Sequence, residues 1–309
     1  MTFDAARALL ARHLAPTPLV RAPSLCGADR DVFLKIETGL PTGSFKVRGA
    51  LYSLSVNAAR RPIAEVVAAS TGNHGAAVAW AATLLDIRAT IFLPANPNPV
   101  KAARIRGLGA RLVEQGGDLS AAIDAAYEHA ARTGAFFLHD AADADVPFGA
   151  GTIGVEIVDA LPQVDAIYVP MGDTALVRGI AAAAKARKPS LAVVGVVAER
   201  APAYCLSWRA NEAIETAAAD TIADGLAVRR ALAPNVAAIR ALVDDVMMVS
   251  ETEMRVAIEW LMTREQVIAE PAGAAATAAF LKDRRAARIA VLLVTGGNLA
   301  PDVMATARN

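Results

Sequence analysis

The sequence is short of cysteine, of excess charge and of long apolar runs, and each shortage removes a class of protein. Only Cys26 and Cys205 occur in 309 residues, which excludes a disulfide scaffold and a four-cysteine zinc site. The four histidines, His13, His74, His129 and His139, show no HxxxH or CxxH spacing, so a histidine-built metal site is not expected. Lys+Arg and Asp+Glu balance at 31 each, so there is no electrostatic reason to expect a nucleic-acid or anionic-membrane partner. Mean hydropathy is +0.37, but it comes largely from alanine. No run approaches the roughly 18 apolar residues of a spanning helix. The opening Met1-Thr2-Phe3-Asp4 has neither a basic nor an apolar signal region, and a cytoplasmic location is expected. No repeat, low-complexity tail or polar linker occurs, and the ending at Asn309 leaves no expected room for an appended regulatory module.

What is present is an alternation. Short apolar runs read as strands at Val32–Ile36, Val66–Ala69, Thr90–Leu93, Ala135–Leu138, Ala166–Val169, Val193–Val197 and Ile289–Val294. Their near-continuous apolar character is that of parallel strands covered on both faces. Alanine-rich stretches such as 121–133 and 175–186 are long enough for crossover helices, so the fold class is α/β with parallel sheets. The length suits one large or two medium domains. Four strand-helix units between about Val66 and Leu138 suggest a smaller domain embedded in a larger one.

Ligands of open α/β sheets bind where strands hand over to helices, and four such junctions here are polar and glycine-rich. The first runs from Glu37 to Ala50 and places Lys46 at a helix start, where the dipole should lower its pKa as an imine-forming lysine requires. A solvated lysine on a first helical turn is the plain alternative. The second is Ser70-Thr71-Gly72-Asn73-His74-Gly75, whose backbone N–H groups could hold a carboxylate or phosphate. Ordinary capping by Ser70 or Asn73 would explain part of it. The third is Pro170-Met171-Gly172-Asp173-Thr174-Ala175, an anion-binding turn weakened by the charge of Asp173. The fourth, Thr295-Gly296-Gly297-Asn298, leaves a hydroxyl at a buried strand end that needs a partner. Gly149-Ala150-Gly151-Thr152-Ile153-Gly154 matches GxGxxG literally, but no convincing strand precedes it, so a dinucleotide site is not expected. Tyr204, Trp208, Met247 and Met248 read as packing residues.

Taken together and in order, these segments resemble the fold type II pyridoxal-phosphate enzymes, specifically the serine/threonine dehydratases (ammonia-lyases). Lys35 to Ala50 is similar to their lysine motif and Ser70 to Gly75 to their asparagine loop. Ala223-Asp224-Gly225-Leu226, Glu270-Pro271-Ala272-Gly273-Ala274 and Thr295 to Asn298 resemble three further segments. The likeness runs from Thr17-Pro18-Leu19 to Asn298. It implies a large domain, 1–57 with 147–309, holding a small one, 58–146, with pyridoxal 5'-phosphate in the cleft between them. Lys46 would hold the cofactor covalently and act as the base at Cα. Asn73 would bond the ring hydroxyl, Thr295 the pyridine nitrogen, and the backbone from Gly172 through Asp173 and Thr174 to Ala175 the phosphate. Ser70, Thr71, Gly72 and His74 would frame the substrate carboxylate.

The implied reaction is β-elimination from a hydroxy-amino acid such as threonine or serine to a 2-oxo acid and ammonia, by a homodimer. A neutral hydroxyl at the pyridine nitrogen would favour expulsion of the β-hydroxyl over protonation at the cofactor carbon. Several residues depart from the family pattern. Asp173 and Thr174 interrupt a run of glycines, so Asp173 is expected to turn outward and cap the helix. Asp140-Ala141 replaces a proline and an aromatic after His139, which should enlarge the pocket and shift preference away from threonine. Glu199 matches the first of an acidic metal-binding pair, but Cys205 falls at the second, so a metal is possible rather than expected. The alternatives are an amino-acid racemase, for which Thr71 offers a second hydroxyl base, a threonine-synthase-like replacement enzyme, and a ligand-sensing protein that retains the fold.

Overall fold

The computed structural model describes residues 1–283 and 287–299. The last ten residues of the expected large domain, 300–309, and 284–286 therefore lie outside the described residues. Ten strands are seen among them: β1 Leu19–Arg21, β2 Asp31–Ile36, β3 Glu65–Ala69, β4 Arg88–Leu93, β5 Arg111–Glu114, β6 Phe136–Phe137, β7 Ala166–Pro170, β8 Ala192–Ala198, β9 Asp245–Val249 and β10 Ile289–Val294. They form a six-stranded sheet in the order β1-β2-β10-β7-β8-β9 and a four-stranded sheet in the order β5-β4-β3-β6. Only the β1–β2 pairing is antiparallel. This is a two-domain α/β architecture with helices flanking both sheets.

The strands of the large sheet are apolar throughout because both faces are covered. Successive residues alternate between two cores, as a period of two requires. Ala166, Tyr168, Val194, Val196, Leu292 and Val294 enter one core. Ile167, Val169, Val193, Val197, Val291 and Leu293 enter the other. Three strands were not expected from the sequence, and each has a reason. β1 is three residues long and antiparallel at an edge. β5 is an edge strand, and its Arg111 and Glu114 ends are exposed. β9 opens on a half-buried aspartate and carries Met247 and Met248, which read as packing residues. β6 keeps only two of the four residues expected.

The glycines of the GxGxxG match lie inside a helix, Val146–Ala160. They are helix-packing residues. A Cβ on Gly151 would meet the carbonyl oxygen of Gly179 at 2.7 Å, and one on Gly154 that of Ile180 at 2.7 Å. Their absent side chains let this helix lie against the Ala175–Arg187 helix, whose N-terminus opens the third junction. The Lys46–Arg60 helix packs on both this helix and the Asn73–Leu84 helix beside the small sheet. It thus ties the two sheets together and presents Lys46 between them.

Candidate active site

All four junctions meet at one cavity of about 1340 Å³. Lys46, Ser70, Thr71, Gly72, Asn73, His74, Gly172, Asp173, Thr174, Ala175 and Thr295 line it. Glu199 does not: it is exposed at the end of β8, and Cys205 is buried in a core. Among the described residues no cluster of three or more His, Cys, Asp or Glu is placed to hold a metal.

Lys46 is the first residue of its helix, as the sequence predicts. The preceding loop is fixed by Phe45, whose N–H donates to the carbonyl of Thr295 at 2.9 Å. Gly43 has φ +61, and a Cβ there would lie 2.5 Å from Asn298 Oδ1. Its left-handed backbone and the close approach of Asn298 both require glycine.

The expected electrostatics of Lys46 is corrected by its neighbours. Its Nζ donates to Asp140 Oδ2 at 2.5 Å. Burial lowers the amine's pKa, but the charges of Asp140, Asp173 and Glu270 outweigh it and the net shift is upward. The dipole argument predicts the opposite sign, and carboxylates in contact dominate partial charges at a helix end.

The helix Asn73–Leu84 starts without side-chain capping: its N-cap is Gly72. Ser70 instead closes the loop by accepting the N–H of Gly72 at 3.2 Å. The Asn73 amide is engaged at both ends, donating to Glu270 Oε1 at 2.7 Å and accepting from Asn298 Nδ2 at 2.6 Å. Burial pushes Glu270 upward. His74 is buried, with Nε2 3.0 Å from the carbonyl of Leu138, and burial lowers its pKa, so it is a neutral ring beside Asp140. Thr71 is half-buried and Thr295 buried on the wall.

The third junction departs most from expectation. Asp173 does not turn outward and makes no helix cap. Burial, then the charge of Asp140, push its carboxyl up to about 7. Thr174 sits at φ 70, a left-handed conformation unusual for a β-branched residue. Its hydroxyl is buried with no partner. Gly172 is required by packing, since a Cβ would lie 2.2 Å from the Gly225 carbonyl oxygen. Asn235 braces the region from behind: its Nδ2 donates to the carbonyls of Ala141 at 3.1 Å and Asp173 at 3.4 Å, and lies 3.2 Å from Tyr204 Oη.

These residues fit pyridoxal phosphate. An unpartnered buried hydroxyl stands at the start of a thirteen-residue helix, where free N–H groups and the dipole favour a phosphate. Asp173 would repel that anion if ionised, and its raised pKa lets it meet the anion with a proton. Lys46, Asn73 and Thr295 stand on the same cavity to hold the rest of the group.

A family model described as "Pyridoxal-phosphate dependent enzyme" matches residues 10–296. The chain is 36% identical over 271 residues to L-threonine ammonia-lyase of Thermotoga maritima, covering 87% of this chain and 67% of that one. This chain belongs to the fold type II pyridoxal-phosphate enzymes, in the threonine/serine dehydratase family. A catabolic L-threonine dehydratase of Staphylococcus aureus is 34% identical over 304 residues, 96% of this chain and 88% of the other. Maize serine racemase superposes with a TM-score of 0.93 at 29% identity, covering 99% of this chain and 95% of the racemase. Within such a dehydratase-family site, Asp140 and Glu270 are the polar residues that sequence reading left without a role. Asp140 lies 94 positions from Lys46, and no local pattern signals that contact. Glu270 had two signals, its place before Pro271 at a helix start and its position at the head of a segment that resembles one of the family's.

Proposed function

We propose that this chain catalyses β-elimination from a hydroxy-amino acid, serine or threonine, giving a 2-oxo acid and ammonia. The observation that carries the reading is Lys46, half-buried at a helix start and facing the Thr174 anion site across one cavity. When bound, pyridoxal phosphate supplies an electron sink for the charge that develops at the substrate's Cα. Lys46 holds the cofactor and removes the Cα proton. The backbone around Ser70, Thr71 and Gly72 holds the substrate carboxylate at the start of the Asn73–Leu84 helix. The Asn73, Glu270 and Asn298 network and Thr295 hold the ring side. Ala141 in place of an aromatic widens the wall and favours a substrate other than threonine. The elimination product takes up water to release ammonia.

Coupled 2-oxo-acid detection with both enantiomers of serine and threonine tests this reading. Lys46→Ala should abolish turnover, and borohydride reduction of the loaded protein followed by peptide mapping should label Lys46. A label on Lys35 or Lys101 instead would sink the assignment. A second reading, racemisation, is favoured by the Thr71 hydroxyl on the same wall. Loss of optical activity without 2-oxo acid would identify it. The homodimer and the cytoplasmic setting belong to the proposed reading, and sedimentation analysis tests the former.

A further inference from the structure

Asp140 sets a carboxylate against the nitrogen that the proposed reaction uses as its base. Its side chain, 15% exposed, lines the cavity, and Oδ2 accepts from Lys46 Nζ at 2.5 Å. Among the described residues this is the one N–H hydrogen bond that the Asp140 carboxylate accepts. Two histidines stand close but have no proton to give it. His74 donates through Nε2 to the carbonyl of Leu138 and, as a neutral ring, presents a bare Nδ1 3.9 Å from Asp140. His139 Nδ1, 3.8 Å away, already accepts the N–H of Ala141 at 3.1 Å. The other cations on the cavity are engaged elsewhere. Arg104 donates to the carbonyl of Thr42 and Lys101 to Asp224, while Arg229 and Arg230 pair with Glu215.

This arrangement is balanced only while Lys46 is an ammonium. A lysine that removes a proton from Cα enters the step as a neutral amine, and the buried carboxylate beside it then lacks a counter-charge, which is costly. A cation on the substrate restores the balance. A group on Cβ is two bonds from the carbon that Lys46 deprotonates, within reach of an acid in contact with Lys46. We propose that the site also takes amino acids with a cationic amine on Cβ, the 2,3-diaminopropionate class, and eliminates ammonia from them, with Asp140 as the residue that selects the cation. This rests on the elimination reading above and extends it to a second leaving group.

The step balances. Lys46 takes the Cα proton, the electron pair left at Cα forms the Cα–Cβ double bond, and the Cβ–N bond breaks with its own pair. The nitrogen arrives with three protons and leaves as neutral ammonia, so it needs no acid, whereas a hydroxyl does. One positive charge passes from the substrate's amine to Lys46, and Asp140 faces a cation before and after. The unsaturated product takes up water and releases its second nitrogen as ammonia, leaving a 2-oxo acid.

The test compares the two leaving groups in the loaded enzyme. One enantiomer of 2,3-diaminopropionate should give two ammonia molecules per 2-oxo acid, against one from serine. Asp140→Asn should lower kcat/KM for 2,3-diaminopropionate at least about 30-fold more than for serine, the scale of losing one partner of a buried charge pair. Equal losses on both would mean that Asp140 acts through Lys46 alone, and would overturn the selection. Binding without elimination is read from the cofactor's absorbance in the unaltered enzyme, which also decides the matter if the variant does not fold. There 2,4-diaminobutyrate should bind at least about tenfold more tightly than norvaline, its uncharged isostere. No preference for the cation overturns the proposal. Turnover of serine with 2,3-diaminopropionate inert overturns it too and leaves the elimination reading standing. Failure of both substrates overturns that reading and the proposal with it.

Discussion

At the scale of single residues, Asp173 links the site to the stability of the chain. Its carboxyl moves from an ordinary value of 3.8 to about 7 on folding, chiefly through burial and then through the charge of Asp140. Between those values the folded chain binds more protons than the unfolded one. Stability therefore falls as pH rises from about 4 to about 7. Asp173→Asn removes the titrating group, so the fall over this window should shrink. Urea unfolding at stepped pH measures it, and an unchanged slope would place the titration of Asp173 outside this window. Lys46 shows the complementary effect, because the carboxylates around it raise its pKa against the effect of burial and favour the ammonium form.

At the scale of elements, the site depends on how closely two helices approach. The Ala175–Arg187 helix begins at the turn proposed to bind the phosphate and lies against the Val146–Ala160 helix through glycine. A Cβ on Gly179 would lie 2.2 Å from the carbonyl oxygen of Pro147 and 2.8 Å from the backbone nitrogen of Gly151. Both obstacles are backbone, so the helices must move apart. Gly179→Ala should cost about 1–3 kcal/mol, as overpacking does. Gly117→Ala has open space around its Cβ and should stay within about 0.5 kcal/mol of the unaltered chain. Denaturant unfolding of the two variants makes the comparison. Equal stabilities would show that the helices have room to separate at no cost.

For the whole molecule, a buried ion network lies beneath the Lys46–Arg60 helix. Arg48 Nε bonds Glu37 Oε2 at 2.7 Å, and its Nη1 bonds Glu156 Oε1 at 2.6 Å and Thr152 Oγ1 at 3.0 Å. Lys35 Nζ bonds Glu156 at 2.5 Å and the carbonyl of Thr17 at 2.7 Å. The network joins β2, the residue after it, the Lys46–Arg60 helix and the Val146–Ala160 helix. Two cations balance two anions, so removing one partner strands a buried charge. Arg48→Met should cost about 3–5 kcal/mol, measured by denaturant unfolding, and should lower cofactor occupancy, because Lys46, the proposed cofactor lysine, is two positions away. A loss below about 1 kcal/mol would mean that water or Lys35 takes over the guanidinium's role.

The sequence by itself determined the α/β class, seven of the ten strands and the four junctions, because these are local properties. Apolar runs, turn glycines and helix starts are written in neighbouring residues, and Lys46 opens its helix where those signals place it. The GxGxxG match was legible as a decoy for the same reason, since the strand that should precede it is missing. The tertiary structure decided the charges. Asp140, Asp173 and Glu270 come from three distant segments, and only folding brings them around Lys46. That contact reverses the sign expected from the helix dipole and turns Asp173 inward, because Coulomb energy depends on distance in space and on burial. No run of residues along the chain encodes either quantity.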